Sequence, residues 1–377
     1  MKILEICEFS AGICGVWTRV LEESKRLAEK GHEVRVFSSN AVKGCNKISK
    51  SEEHIGKITI KRFSFIKFGG ESFLHWNFEK AALDFKPDVI MAHNYRHLHT
   101  TKALKIAEKL RKQGHSCKVF LVTHAPFVEG NITRDFISKS IVTIYDNLVG
   151  PKTLNKFDKI LAISKWEIPY FTKMNVRKEK LTYIPNGIPD EFFKQKSGIE
   201  QNKILFLGRI SPKKKIETLI SSIPYILDKK IKIEIVGPPE KQYVESINAL
   251  IKKLNISSRI IFSKPIYDLR EKIKKIDSAR LFILPSRVEG MPQSLIEAMA
   301  RKKVVIGSNS IAIRDLIKDK QNGYLFEFDN PKSLAEKINM SLLSKNMNIK
   351  KNALNSVKNF KWSRIIEKID TLIRNKK

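Results

Sequence analysis

The chain has 377 residues, of which 42% are hydrophobic and 29% are charged, and its formal net charge is +32. This content exceeds one typical domain and is sufficient for two α/β domains with their own cores. The chain contains no run of about 18 apolar residues, and Glu5 interrupts the apolar N-terminal stretch. The sequence therefore predicts neither a membrane-spanning helix nor a signal peptide, and we expect a cytoplasmic protein.

The positive charge draws anions toward the protein, and it leaves two explanations open. One is a lysine-rich surface without a function, and the other is a patch that binds phosphate or an anionic membrane. No basic segment interleaves with aromatic residues, which argues against nucleic acid as a partner. The cysteines lie far apart without a C-x-x-C pair, so we expect no metal and no disulfide framework; they are Cys7, Cys14, Cys45 and Cys117.

In chain order, short β-branched runs alternate with amphipathic segments, which is typical of a doubly wound parallel sheet covered by helices. Strands are predicted in the first half at residues 2–7, 33–38, 57–62, 88–92, 118–123, 159–163 and 181–184. The first helix is predicted from about Gly15 to Lys30, and Gly31 supplies its left-handed cap. These elements form an N-terminal Rossmann-like domain at 1–185.

A second series repeats the scheme, with strands predicted at 203–208, 232–236, 259–263, 280–284 and 304–308. Ile216, Leu219 and Ile223 recur at the spacing of a helix that packs on a sheet. The Pro- and Gly-containing segment that separates the two series is polar, as linkers are. We therefore predict a linker at 186–202, a C-terminal Rossmann-like domain at 203–360 and a final segment at 361–377.

Ligands of open α/β sheets bind beyond the carboxyl ends of the strands, so the residues that follow each strand are the candidates for a site. Residues 10–15 follow the first strand, and their glycines allow a ligand phosphate to approach the backbone at a helix start. A tight turn needs such glycines for structural reasons as well. The segment is not G-x-G-x-x-G, which argues against a dinucleotide cofactor.

Three further strand ends carry charged or titratable residues. Arg209 and Lys214 follow the strand at 203–208 and could bind phosphate oxygens, or they could belong to a solvated basic loop. Glu289 precedes a helix that is predicted to begin near Pro292, where a negative charge is favourable without any function. His124 closes the strand at 118–123, and it is either a site residue or a structural histidine.

Together these residues resemble the retaining glycosyltransferases of family 4, which have the GT-B fold. The resemblance runs nearly end to end and is carried by Lys30–Val34, Lys86–Ile90, Pro185–Gly187, the Gly-Arg-x4-Lys segment at 208–214 and the pair Glu289-x7-Glu297. It implies two Rossmann-like domains that face a central cleft. It also implies that the last segment forms a helix that crosses back to the first domain.

The resemblance also implies an activity and a set of site residues. The enzyme would move a sugar from a UDP- or GDP-linked donor to a lipid-linked or glycan acceptor, with retention and without a metal or other cofactor. The expected site residues are Gly15, Arg209, Lys214 and Ser294 for the donor diphosphate, Glu297 for the ribose, and His124 and Glu289 as catalytic residues. Two alternatives remain: a GT-B nucleotide-sugar epimerase, and a non-catalytic basic binding protein of the same fold.

The sequence departs from the family pattern at four places. Lys215 stands where a glycine is usual, and Arg301-Lys302 stands where Cys-Gly is usual. Ile311-Ala312 replaces a glycine pair, which is expected to narrow the room near the donor, and Pro238-Pro239 replaces an Asp-Gly. These departures leave the sugar and the base open.

The segment 101–112 bears on a membrane partner. It is predicted to be a helix with Leu104, Ala107 and Leu110 close to one face, and its lysines are expected on the exposed side; these are Lys102, Lys105, Lys109 and Lys112. Such a face could attach the enzyme peripherally to anionic lipid on the inner side of the cell membrane. An ordinary surface helix that packs on its own sheet explains the same pattern, and both explanations remain open.

Overall fold

The computed structural model describes residues 1–12, 14–68, 73–128, 136–194 and 199–375. These residues divide into two compact units: unit 1 comprises 1–12, 14–68, 73–127, 136–186 and 364–375, and unit 2 comprises Val128, 187–194 and 199–363. Three parts of the sequence predictions lie outside the described residues. They are Ile13 of the first turn, residues 195–198 of the predicted linker, and the last two residues of the predicted final segment.

The described residues of unit 1 form ten strands and six complete α-helices. The strands are β1 (Lys2–Phe9), β2 (Glu33–Ser39), β3 (Glu52–Ile55), β4 (Ile58–Phe63), β5 (Phe65–Lys67), β6 (Leu74–Trp76), β7 (Val89–His93), β8 (Lys118–Val122), β9 (Lys159–Ala162) and β10 (Leu181–Tyr183). The helices are α1 (Gly15–Glu29), α2 (Glu79–Phe85), α3 (Leu98–Lys112), α4 (Phe136–Ile144), α5 (Gly150–Leu154) and α6 (Ile168–Lys173). Eight of the strands form one sheet in the order β10-β9-β8-β7-β1-β2-β4-β3, and β5 pairs with β6.

Unit 2 is a second α/β layer structure around a six-stranded sheet. Its strands are β11 (Gln201–Leu207), β12 (Lys232–Val236), β13 (Ile260–Ser263), β14 (Ala279–Leu284), β15 (Val304–Ser308) and β16 (Tyr324–Phe326). Its helices are α7 (Ile216–Ser222), α8 (Lys241–Lys253), α9 (Leu269–Asp277), α10 (Gln293–Ala300), α11 (Ile311–Arg314), α12 (Pro331–Leu343) and α13 (Met347–Val357). The chain continues into α14 (Trp362–Arg374), whose residues from Arg364 onward belong to unit 1.

The strands that the sequence predicts are confirmed. The central strands of both sheets are buried on both faces, so they appear in the sequence as apolar runs. Strand β1 keeps Ile3, Leu4 and Ile6 fully buried, and its neighbours β2 and β7 run parallel to it. The prediction lacks the three-residue strands β5, β6 and β16. Strand β3 is missing from it as well. It pairs antiparallel to β4 at the edge of the sheet and exposes Glu52, Glu53 and His54, so it carries no apolar run that would identify it.

Helix α3 packs on its own unit through Ala103, Ile106, Ala107 and Leu110, all buried. The prediction that all its lysines lie on an exposed face is wrong for Lys102. That ammonium donates to the carbonyl of Trp76 at 3.0 Å, because α3 packs against β6 and the adjoining segment.

The other lysines of α3 differ in their partners. Lys109 is paired with Glu79, and Lys112 lies 3.0 Å from Glu108, while Lys105 is exposed. This helix therefore offers fewer unpaired lysines than the sequence suggests. No helix in the described part of the chain has the length and apolar content that a membrane crossing requires.

The start of the predicted linker is packed into unit 2. Ile188 and Phe192 belong to its hydrophobic core with exposures of 1% and 0%, and residues Asp190–Phe193 form a 3-10 turn. The guanidinium of Arg301 donates to the carbonyl of Phe192 at 3.2 Å and pairs with Asp277 at 2.6 Å. Residues 187–194 are thus a fixed part of unit 2, which composition alone could not indicate.

Two of the departures from the family pattern occupy left-handed backbone positions. Lys215 has φ 51° and Lys302 has φ 56°, and glycine adopts this region at the lowest cost. Lys302 follows the end of α10, where the backbone N–H of Lys303 donates to the carbonyl of Ala298, as in a helix-ending turn. The lysines therefore keep the turn and carry its conformational strain.

Replacing Lys302 by glycine is expected to stabilise the protein. A side chain in the left-handed region costs about 1 to 2 kcal/mol, which glycine avoids. Glycine also has more conformational entropy in the unfolded chain, and this offsets about 0.5 to 1 kcal/mol of the stabilisation. The free energy of unfolding should rise by about 0.5 to 1 kcal/mol in urea titrations. The control Lys274→Gly, at an exposed position inside α9, should lower it by about 1 kcal/mol. A fall in the free energy of unfolding in both variants would show that the backbone at Lys302 is not strained.

Candidate functional site

The strand order of unit 2 reverses at β11, which fixes where its loops converge. Strand β11 pairs with β12 on one side and with β14 on the other, all parallel. The sheet order is β13-β12-β11-β14-β15-β16, the arrangement in which ligands bind beyond the carboxyl ends of the two central strands. The loops after β11 and β14 contain most of the candidate residues of this unit.

The loop after β11 is held by the loop after β12. The N–H of Gly208 donates to Val236 at 3.0 Å, and the N–H of Ile210 donates to Pro238 at 2.9 Å. Gly237 has φ 150°, and a Cβ added there would lie 1.9 Å from the carbonyl oxygen of Gly208. Only a glycine at this position lets the two loops approach so closely, and their contact fixes the backbone that presents Arg209.

The cations of this loop differ in their surroundings. The side chain of Arg209 is exposed and has no hydrogen-bond or ion-pair partner among the described residues. Lys214 ends a 3-10 turn, and its ammonium lies 2.6 Å from Glu289 Oε1. The N–H of Arg287 donates to the carbonyl of Lys213 at 3.0 Å, so the loop after β14 carries Glu289 to the lysine. The result is one exposed guanidinium and one lysine whose charge is neutralised by a carboxylate.

Helix α10 carries the second glutamate of the sequence motif. It begins at Gln293, as the position of Pro292 predicts, and Ser294 is its second residue. Glu297 is only 5% exposed. Its Oε1 accepts from the ammonium of Lys272 at 2.6 Å, whereas its buried Oε2 has no hydrogen-bond partner. A buried carboxylate oxygen without a donor is costly, and a ligand hydroxyl is the kind of group that would satisfy it.

In unit 1, the turn after β1 is close-packed at one glycine and open at the other. A Cβ on Gly12, which has φ 85°, would lie 2.5 Å from the carbonyl of Lys43. Gly15 is the first residue of α1, and a Cβ there would meet no atom within 4 Å. The fold requires glycine at position 12, whereas the space beside Gly15 is unfilled.

His124 occupies a strained turn that a buried glutamate supports. Both His124 and Ala125 have φ 54°, a region that side-chain-bearing residues seldom adopt. Glu167 Oε2 accepts from the hydroxyl of Thr123 at 2.6 Å and from the N–H of Ala125 at 3.1 Å. Burial raises the pKa of Glu167 to about 7. The turn is held on both sides of His124, which directs the imidazole toward β7.

Behind His124 lies a line of buried titratable side chains. Its Nε2 is 2.8 Å from Nδ1 of His93, and His93 Nε2 is 2.7 Å from Glu5 Oε2. Glu5 and His93 have no exposed surface. Burial raises the pKa of Glu5 to about 8 and lowers that of His93 to about 3. Burial and the neighbouring His93 and Arg19 also hold the pKa of His124 well below its usual range.

A second buried pair lies next to this line. Arg19 Nε donates to Glu23 Oε2 at 3.0 Å, and its Nη1 donates to Asn186 Oδ1 at 2.8 Å. Burial raises the pKa of Glu23 to about 7, against the lowering effect of Arg19. Four ionisable groups on β1, α1 and β7 are thus buried together next to His124.

The structure places the predicted site residues in two groups. Arg209, Lys214, Glu289, Ser294 and Glu297 lie in unit 2, where Lys214 and Glu289 are in contact. Gly15 and His124 lie in unit 1. Their roles toward a ligand stay predictions.

Sequence reasoning missed Lys272, Glu5 and His93. His93 is the last residue of β7, so the rule that identified His124 also applied to it. A glutamate inside the apolar first strand was a further signal for a buried polar network. No comparable pattern distinguishes Lys272 from its neighbours on α9. Among the described residues, no group of three or more His, Cys, Asp or Glu side chains is arranged to hold a metal ion.

Comparison with known families and proteins gives consistent matches. The model of "Glycosyltransferase Family 4" matches residues 13–192, and that of "Glycosyl transferases group 1" matches residues 188–356. An α-1,4-N-acetyl-D-galactosaminyltransferase of Campylobacter jejuni, which acts on an undecaprenol-pyrophosphate-linked glycan, is 25% identical over 90% of this chain and 89% of its own. An uncharacterised glycosyltransferase of Methanocaldococcus jannaschii is 28% identical over 181 residues; this match spans only 48% of either chain.

Solved structures match over the full length. Sucrose-phosphate synthase from Thermosynechococcus elongatus has a TM-score of 0.77 at 18% identity and covers 99% of this chain and 98% of its own. Anabaena HepE, solved in complex with UDP, has a TM-score of 0.75 at 17% identity and covers 99% of both chains. These neighbours share the fold of this protein.

One glycine of unit 2 and one of unit 1, Gly237 and Gly15, should respond in opposite ways to alanine. Gly237→Ala forces the loops after β11 and β12 apart and should lower the free energy of unfolding by about 1 to 3 kcal/mol. Gly15→Ala adds a methyl group to empty space at a helix start and should leave it unchanged or raise it slightly. Thermal unfolding of both purified variants measures the difference. Equal stability of the two would show that the approach of Gly208 to Gly237 does not constrain the fold.

Proposed function

Because the chain belongs to the group 1 and family 4 glycosyltransferases, we propose that it transfers a sugar from a nucleoside diphosphate sugar to a lipid-linked or glycan acceptor. The transfer retains the configuration of the sugar and needs no metal ion. The donor is linked to UDP or GDP, the protein works in the cytoplasm, and the site residues are those that the family pattern assigns.

The observation that carries this proposal is the pair of cations after β11. Arg209 is exposed and unpartnered among the described residues, and a guanidinium can bind two phosphate oxygens at once. Lys214 lies in the same loop, and its ammonium forms an ion pair with the Glu289 carboxylate at 2.6 Å. A diphosphate bound to Arg209 offers Lys214 a more negative partner than one carboxylate. The exchange would free Glu289 to accept hydrogen bonds from the hydroxyls of the donor sugar.

The same cations would accelerate the reaction. As the bond between the sugar and the diphosphate breaks, negative charge grows on the leaving phosphate oxygen, and the sugar acquires oxocarbenium character. Fixed cations at the phosphates stabilise this state more than the ground state. Glu289 and His124 act at the sugar, Gly15 and Ser294 contact the diphosphate, and Glu297 accepts hydrogen bonds from the ribose hydroxyls. These protein cations do the work that a metal ion does in other transferases.

The name of one relative supports the choice of a first acceptor. The Campylobacter jejuni relative acts on an undecaprenol-pyrophosphate-linked glycan and aligns over 90% of this chain. A related activity would bring this protein to a membrane surface. We therefore propose a lipid-linked glycan as the first acceptor to test.

Nucleotide binding tests the donor assignment before any acceptor is known. UDP, GDP and inorganic phosphate are compared by thermal unfolding. A ligand at 100 times its dissociation constant stabilises the folded protein by about 2.7 kcal/mol. One diphosphate should raise the melting temperature far more than phosphate does. Equal shifts for all three would leave only a general anion effect of the positive surface.

Variants at the site should slow transfer without unfolding the protein. Arg209→Ala, Lys214→Ala and Glu297→Ala each remove a contact to the donor, and the loss of such a contact costs about 2.7 to 4 kcal/mol in the barrier, or about 100- to 1,000-fold in kcat. Gly15→Ala should weaken donor binding although it does not weaken the fold. Turnover of labelled nucleotide sugars with a membrane lipid extract, followed by mass spectrometry, measures these effects.

A control and two further outcomes sharpen this test. Lys252→Ala, on the exposed surface of α8, removes one positive charge from the same unit and should keep wild-type turnover. Wild-type activity should survive EDTA, and a loss that manganese restores would overturn the metal-free proposal. An isomer released from the donor without any acceptor would identify an epimerase instead.

Peripheral attachment to anionic lipid follows from the proposed acceptor and the net charge of +32. Each basic residue close to such a membrane contributes about 1 kcal/mol. The structure reduces the contribution of α3, since Lys102 points into the protein and Lys109 is paired. Sedimentation with vesicles of phosphatidylglycerol and phosphatidylcholine should show binding that falls with salt.

The contribution of α3 is separated by a matched pair of triple variants. Lys105→Gln, Lys109→Gln and Lys112→Gln together should weaken vesicle binding more than the same change at Lys252, Lys253 and Lys274 of unit 2. Equal weakening by both sets would show that net charge alone attracts the protein. Absence of wild-type binding at low salt would argue for a soluble acceptor.

A further inference from the structure

The line from Glu5 through His93 to His124 connects a buried carboxyl group to the one candidate side chain of unit 1 that titrates. Two hydrogen bonds of 2.7 and 2.8 Å join the three groups, and His93 contributes one ring nitrogen to each. The carbonyl of His93 also accepts from His99 at 2.7 Å, which fixes the position of this strand end. A neutral imidazole has one N–H and one bare nitrogen, so its two hydrogen bonds depend on each other.

This line has two complete hydrogen-bond patterns. With Glu5 ionised, His93 Nε2–H donates to the carboxylate, and His93 Nδ1 is bare and accepts from His124 Nε2–H. His124 Nδ1 is then bare and can only accept. If the Glu5–His93 pair takes up one proton, His93 Nδ1 carries hydrogen and donates to His124 Nε2. The hydrogen of His124 then lies on Nδ1, which becomes a donor.

The second pattern does not depend on which group of the pair holds the added proton. A protonated Glu5 that donates to a neutral His93 leaves hydrogen on His93 Nδ1, and so does an imidazolium beside a carboxylate. In each case His124 changes tautomer while it stays neutral. Its Nδ1 has no partner among the described residues, so that nitrogen is available to a ligand.

We propose that Glu5 and His93 are positioning residues that set the tautomer of His124, so that one proton on the buried pair converts His124 Nδ1 from a hydrogen-bond acceptor into a donor. The proton of the pair comes from solvent and returns to it, and no bond to the substrate is made or broken. The effect on transfer rests on the proposed function, in which His124 contacts the donor sugar. The tautomer change itself is a property of the free protein.

The groups that face this line favour a carboxyl group that titrates near neutral pH. Glu5 Oε1, Glu23 Oε1 and Arg19 Nη2 are buried and have no hydrogen-bond partner, so an ionised Glu5 is poorly solvated. Burial raises the pKa of Glu5 to about 8, although Arg19 lowers it. The charged and titratable groups around the line are Arg19 and Glu23 on α1, Cys7 and Glu8 on β1, and His97 and His99 near the start of α3.

The sign of the change follows from these positions. Below the pKa of Glu5 the pair holds the proton, and His124 Nδ1 is a donor. As the pH rises through about 8, the pair loses the proton and Nδ1 becomes an acceptor. A sugar hydroxyl can meet either form, but a hydroxyl fixed by other contacts matches only one. Transfer should therefore follow the titration of Glu5, although His124 itself gains no charge.

Nitrogen NMR of the full chain, labelled with 15N-histidine, measures the tautomer directly. His124→Gln assigns the signals of the ring. Between about pH 6 and about pH 10, Nδ1 of His124 should move from the shift range of a protonated nitrogen to that of a bare nitrogen, and Nε2 should move in the opposite direction. In Glu5→Gln, which keeps the shape and removes the titrating group, the exchange should be absent over this range.

Glu23→Gln is the matched control, because Glu23 is equally buried and bonds Arg19 instead of a histidine. It should keep the exchange, with a midpoint at lower pH because one neighbouring negative charge is gone. An exchange that persists in Glu5→Gln, or that only Glu23→Gln abolishes, overturns the proposal. A wild-type His124 with one tautomer across the range overturns it even if Glu5→Gln does not fold.

The pH profile of kcat/KM then separates this inference from the proposed function. The ionisation near the Glu5 pKa should disappear in Glu5→Gln, whereas a merely structural loss would lower the rate equally at every pH. A tautomer exchange in a protein without transferase activity would contradict the proposed function and leave the line intact. Transferase activity with a fixed His124 tautomer would support the proposed function and contradict the tautomer proposal.

Discussion

The reversal of strand order at β11 is the constraint on which the candidate donor site depends. Strands β11 and β14 are parallel neighbours at the switch point, so the loops that follow them leave the same end of the sheet. Gly237 lets the loop after β12 approach Gly208 so closely that no side chain fits between them. Lys214 lies in the loop after β11, and Glu289 lies in the loop after β14. The 2.6 Å contact between them results from the approach of these two loops.

Four charged side chains of the candidate site are paired within the protein. Lys214 is paired with Glu289, and Lys272 is paired with Glu297, so both glutamates of the sequence motif already hold a lysine. Arg209 is the candidate cation that remains exposed. In the proposed function, a diphosphate binds first to this exposed guanidinium and then competes with the carboxylate for the lysine. Such an order limits the cost of keeping unpaired charges in a site that is empty part of the time.

Much of the fold and part of the site could be predicted from the sequence, and the physics explains the division. The central strands are apolar on both faces and stand out as β-branched runs, whereas the edge strand β3 is polar and could not be recognised. Arg209, Lys214 and Glu289 follow strands, so a rule about strand ends finds them. Lys272 and Glu5 act through contacts between elements, which spacing does not show. The prediction that Lys102 is exposed is wrong because helix periodicity contains no information about β6 and the segment after it, which cover one side of α3.

In the proposed function, a nucleoside diphosphate replaces Glu289 as the partner of Lys214. A crystal structure of the protein with the diphosphate that stabilises it most tests this claim directly. Phosphate oxygens should lie within hydrogen-bond distance of Arg209 and Lys214, a ribose hydroxyl should lie at Glu297, and Glu289 should be separated from the lysine. A diphosphate bound elsewhere, or one bound while Lys214 and Glu289 stay paired, would contradict it.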